Sequence, residues 1–254
     1  MTFDSPFGLF CSIIILIALL YFLITRLRLL SNYRREYLST RGAHHLSIIK
    51  STLRNLQNRI KQLKSKITQK QAELDQIRGK QQSDFEQYLA GQIVEKKLIK
   101  VQGIGKILRD DIVTYCFDGN ISSLLEAHRL RGIGPEKQYY IREFVRQAEL
   151  DISKKITTRF PGRANIEAKY ETKIKTLRNI ISKLSFEVRP LEKLYTIAND
   201  EKSKLETINV MDFVKASKGN SDSSRRVTEF INGVFAEWEK MPDWFRTLVS
   251  EFGE

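Results

Sequence analysis

The chain has 254 residues, 41% apolar and 29% charged, with five prolines and two cysteines, a balance that suits long helices rather than one packed globule and excludes a disulfide framework. Lys and Arg outnumber Asp and Glu by 43 to 30, a net charge of +13, so the partners it implies are polyanions: nucleic acid or an anionic membrane surface. No phosphate loop, Ser-His-Asp set or cysteine nucleophile with a nearby histidine is written in the chain, and His44, His45 and His128 lack ligand spacing, so no enzyme activity, metal or cofactor is expected.

After a short tail over residues 1–6, Phe7 to Thr25 runs for nineteen residues without a charge. That is close to the roughly 20 residues that cross a bilayer's hydrocarbon core, and it predicts a transmembrane helix over 7–25. A cleaved signal peptide would want a basic start, whereas this one carries only Asp4. A buried core helix is the alternative, and apolar residues on every face favour the membrane span over it in a chain with so little packed core. Arg26, Arg28, Arg34, Arg35 and Arg41 follow, and no Lys or Arg precedes the span. By the positive-inside rule the N-terminus lies outside and the bulk of this single-pass membrane protein in the cytoplasm. The same arginines also suit anionic lipid headgroups, which is a second use for the basicity.

Residues 26–94 form a basic juxtamembrane stretch and a first arm; residues 26–80 hold 14 basic side chains against 3 acidic. From Leu46 a seven-residue repeat runs through Leu53, Ile60, Ile67 and Leu74, paired with Ile49, Leu56, Leu63, Lys70 and Ile77. This is the pattern of a coiled coil broken once, at Lys70.

Between Leu98 and Val145 the chain writes one pattern twice. Val101-Gln102-Gly103-Ile104-Gly105 precedes one amphipathic stretch and Leu130-Arg131-Gly132-Ile133-Gly134 precedes another. Paired glycines let the chain reverse tightly, and the amides that open the next helix lie unpaired at the positive end of its dipole, a place for an anion. Pro135 suits a first-turn position.

Over residues 95–150 the two copies resemble the tandem helix-hairpin-helix family, joined by a linking segment from Val113 to Leu124. The resemblance implies a compact five-helix domain that binds DNA, duplex and without sequence preference, through hairpin amides on backbone phosphates. On this chain the phosphate-binding positions it implies are Gly103, Ile104, Gly105 and Lys106, then Gly132, Ile133, Gly134 and Lys137, with Arg109 and Arg131 as supporting cations. The same family also supplies protein-protein modules, and the local charge leaves that alternative open. From Glu95 to Leu150 there are 10 basic residues against 8 acidic, with Asp110 and Asp111 beside the first turn.

Residues 163–208 form a second arm, with Tyr170, Leu177, Leu184, Leu191, Ala198 and Leu205 at one core position. Ile166, Lys173, Ile180, Glu187, Leu194, Glu201 and Ile208 take the other. Pro190 inside it predicts a kink or two shorter helices. Antiparallel pairing of the arms would set the tandem domain at the tip of an intramolecular stalk. Parallel pairing with a second copy, and hence a homo-oligomer, is the alternative, and heptads alone do not decide it. In residues 209–254 a mobile polar loop is expected from Met211 to Ser224. A C-terminal amphipathic helix follows, with Val227, Phe230, Ile231, Val234, Phe235 and Trp238 at helical spacing. That face packs on the arm bases, lies at the membrane interface or docks a protein partner. The fold class expected is therefore all-α: an N-terminal transmembrane helix and antiparallel coiled-coil arms flanking a compact tandem helix-hairpin-helix domain.

Overall fold

The computed structural model describes residues 6–253, with side chains from Ile15 onward. The tail as far as Ser5, the Cys11 side chain and Glu254 lie outside the described residues. The chain is all-helical, with no strand among the described residues. Its α-helices are α1 (Pro6–Ser39), α2 (Arg41–Lys97), α3 (Lys106–Cys116), α4 (Pro135–Ile156), α5 (Arg163–Glu206), α6 (Val210–Ser217), α7 (Ser221–Asn232) and α8 (Asp243–Phe252). Two compact units result, one made of residues up to Lys64 with those from Phe186 onward, the other of Ser65–Ser185.

In the first unit, α1 from Ile15 to Ser39 is long and apolar enough to cross a membrane, and its apolar window is not buried against the rest of the chain. At the junction with α2, buried Thr40 accepts the Ala43 N–H at 3.2 Å. Leu46, Ile49, Leu53 and Leu56 of α2 share a core with Leu194, Ala198, Leu205 and Ile208. Two ion pairs fix the register, Lys50–Glu206 at 2.9 Å and Lys64–Glu192 at 2.7 Å. As one number rises by fourteen the other falls by fourteen, so here α2 and α5 run antiparallel within one chain. Phe213, Phe230, Phe235, Phe245 and Leu248 from α6 to α8 close that core, and Tyr37 stacks on Phe230 at 5.0 Å.

Three expectations change here. Helix α5 is one helix through Pro190 rather than two shorter ones. Pro190 and Phe186, whose carbonyl loses its usual donor, are both exposed, so water can satisfy that carbonyl. Glu187 and Lys173 are exposed rather than in the core, and Val188 is buried in place of Glu187. The stretch from Met211 to Ser224 is not a loop but most of α6 and the start of α7. Its polar residues are caps: the Asn209 side chain accepts from Met211 N–H, Asp212 accepts the Asn209 N–H in return, and Asn220 accepts from Ser223 N–H.

The second unit packs Leu89, Ala90 and Val94 of α2 and Leu98 just beyond it against Ile112, Leu124, Ile141 and Val145. Lys169 and Tyr170 of α5 both donate to Asp84 Oδ2 of α2, at 2.7 and 2.8 Å. Their donation, Lys169 first, holds the Asp84 carboxyl below its ordinary range. The segment linking α3 to α4 folds as a 3₁₀ helix, Ile121–Arg129, started by Asn120, whose side chain accepts the Ser122 N–H at 3.0 Å.

Candidate nucleic-acid interface

The two Gly-Ile-Gly stretches adopt the same backbone. Helix α2 ends in a 3₁₀ turn, Leu98–Lys100, and the chain then reverses at Gly103, whose φ of 76° is open to glycine at little cost. The Ile104 N–H closes that turn on the Val101 carbonyl at 3.0 Å. Gly105, extended at φ −80° and ψ 176°, caps α3. The second copy repeats each step: Gly132 has φ 89°, the Ile133 N–H donates to Leu130 at 3.2 Å, and Gly134, at φ −85° and ψ 179°, caps α4.

What each copy offers a ligand is its main chain. In α3 the Arg109 N–H donates to the Gly105 carbonyl at 2.9 Å, and in α4 the Gln138 N–H donates to that of Gly134 at 3.0 Å. The amides of Lys106, Ile107 and Leu108, and of Glu136 and Lys137, precede those bonds and have no acceptor within their helix. Gly105, Gly132 and Gly134 are exposed, and a methyl group built on any of them would meet nothing within 4 Å. The space beside these three glycines is therefore open to an anion at the positive ends of two helices.

One side chain joins the copies. The stem of Lys137 lies against Gly103, and its Nζ donates to the Gly132 carbonyl at 2.9 Å. The turns thus stand within reach of a single lysine.

The structure divides the residues picked out by sequence. Gly103, Gly105, Lys106, Arg131, Gly132, Gly134 and Lys137 are brought together at the two turns. Ile104 and Ile133 turn toward the core: Ile104 is 3% exposed, Ile133 packs against the same core, and both amides close the turns. Arg109 is held by Asp110, which blunts its charge. Among the described residues Lys106 and Arg131 have no side-chain partner, so the second turn, with Arg131 and Lys137, is the more positive. The amides of Ile107 and Glu136 are among those the sequence places unpaired at the two helix starts, and the structure adds that of Leu108. Their place in the first helical turn is the available signal. Ile107 is also 81% exposed, an apolar side chain standing free beside the first turn.

Among the described residues no group of three or more His, Cys, Asp or Glu side chains is placed to hold a metal. Cys116 is a free thiol, pushed above its ordinary pKa by burial.

No family model, curated protein or solved structure matches this chain. The two turns have to be read from their own geometry.

Proposed function

We propose that this chain is a non-enzymatic, single-pass membrane protein that holds duplex DNA near the bilayer, gripping backbone phosphates without regard to sequence. In this reading residues 95–150 are a tandem helix-hairpin-helix domain. The helical stretches 26–94 and 163–208 are coiled-coil arms, residues 7–25 are the anchor, and everything after Arg26 faces the cytoplasm. The observation that carries the reading is the doubling of the site. Two turns of matching backbone, joined through Lys137, each present first-turn amides beside glycines with open space around them. Lys106, Arg131 and Lys137 add positive charge, and phosphate binding of this kind gives salt-sensitive affinity.

The test is binding of the full chain, in neutral detergent, to random-sequence duplex DNA by fluorescence anisotropy. Wild-type protein is expected to bind, and Gly134→Glu with Lys137→Glu to lose most of that affinity. Full retention would refute the mechanism.

A second reading is favoured by Ile107. A free isoleucine at the mouth of the first turn suits a protein surface better than a phosphate, and a membrane scaffold would use it so. Ile107→Asp separates the two, because it should abolish a protein contact while leaving the second turn's hold on DNA.

A further inference from the structure

The segment between α2 and α3 lies antiparallel to α4. Gly103 sits at Lys137, and Lys97 Nζ reaches Asp151 Oδ2 at 2.6 Å. As the segment's numbers rise from 97 to 103, those of α4 fall from 151 to 137. Lys155 follows Lys137 by eighteen residues, five helical turns at 3.6 residues each, so the two leave α4 on the same side about 27 Å apart. Lys97, Lys154 and Lys155 are all exposed. Asp151 lies among them, held below its ordinary pKa first by the Lys97 hydrogen bond and then by the charges of Lys97, Lys155 and Lys154. Three ammonium groups around one carboxylate leave this end of α4 positive.

We infer that Lys97, Lys154 and Lys155 are a second phosphate-binding point for the same DNA, reached by a backbone that leaves the paired turns and runs over the 97–103 segment, beneath which the core side of α4 is buried. At 3.4 Å per base pair the separation corresponds to about eight base pairs. The inference rests on the DNA reading of the turns and adds a length to it. A duplex that covers only the turns is bound by them alone; one that extends over that segment gains the lysines.

The experiment uses the full chain in neutral detergent with two random-sequence duplexes, each closed by a hairpin loop, of about 6 and about 24 base pairs, across a salt series. Lys97→Gln, Lys154→Gln and Lys155→Gln together should lower affinity for the longer duplex about tenfold. The salt slope should become shallower by about two to three, at roughly 0.9 for each phosphate no longer neutralised. Affinity for the shorter duplex should be unchanged. Equal weakening on both duplexes, or on neither while Gly134→Glu with Lys137→Glu still abolishes binding, overturns the second binding point and leaves the turns' role standing. If wild-type protein binds neither duplex, the DNA reading itself falls. The three side chains are exposed, so an unchanged thermal transition verifies that the variant is folded.

Discussion

Lys137 lies along Gly103: a methyl group built on that glycine would stand 3.2 Å from Lys137 Cγ, while the ammonium at the end of the same side chain holds the Gly132 carbonyl. A side chain of the second copy thus braces the first. This lysine links the two copies, and its own charge is partly spent in doing so.

Substituting the glycines should separate folding from binding. Gly103→Ala places a side chain at φ 76° and against Lys137, and should cost about 1–2 kcal/mol of stability. Gly105→Ala meets an ordinary φ and open space, so its melting temperature should stay level or rise slightly. Its methyl group takes up open space that a phosphate would use in approaching the main chain, however, and DNA affinity should fall severalfold. Thermal unfolding and anisotropy on the two variants check both halves.

Stability should depend on pH through His45. Its ring is 2% exposed, accepts the Val234 N–H at Nδ1 at 3.0 Å and stacks on Phe235 at 4.4 Å. Burial, then the charges of His44 and Arg41, lower its pKa to about 4. The unfolded chain takes up this proton near pH 6.5 and the folded chain only near 4, so stability is lost as pH falls through that window. The expected loss from pH 7 to pH 5 is about 2 kcal/mol, measured by urea unfolding of the first unit's signal. His44→Gln should keep the larger part of the dependence, which burial supplies, and lose the part that the His44 charge adds.

Pro190→Ala should stabilise the chain. It restores an N–H for the Phe186 carbonyl on an exposed face, where no packing is disturbed. Helix-interior proline costs about 3 kcal/mol relative to alanine, and water at Phe186 already recovers part of that, so a gain of about 1–2 kcal/mol in thermal unfolding is expected.

The parts legible in sequence are those with a strong period or a strict backbone demand. Leu46, Ile49, Leu53 and Leu56 are buried as their repeat requires, and Gly103 and Gly132 take the positive φ that their turns demand. The second arm is less legible because its pattern slips. Val188 beside Glu187 and Ile174 beside Lys173 offer an apolar neighbour one residue on, and the helix uses Val188 in its core. The stretch after Ile208 reads as a loop because the polar residues that favour turns also favour helix caps. Asn209, Asp212 and Asn220 are where helices begin. At the turns, the resemblance points to Ile104 and Ile133, and the structure turns both side chains toward the core and uses both amides to close the turns.

The caps give a further check. Asn209→Ala removes the acceptor of the Met211 N–H and one half of the reciprocal pair with Asp212. A loss of about 1 kcal/mol is expected, with faster hydrogen exchange confined to the start of α6.

The claim on which the rest depends is that the first-turn amides of α3 and α4 themselves meet phosphate. Hydrogen exchange of the full chain, with and without saturating duplex DNA, addresses it directly. Ile107, Leu108, Glu136 and Lys137 should exchange quickly in the free chain and be protected together in the complex. Protection elsewhere, with these four amides exchanging as fast as before, would contradict it.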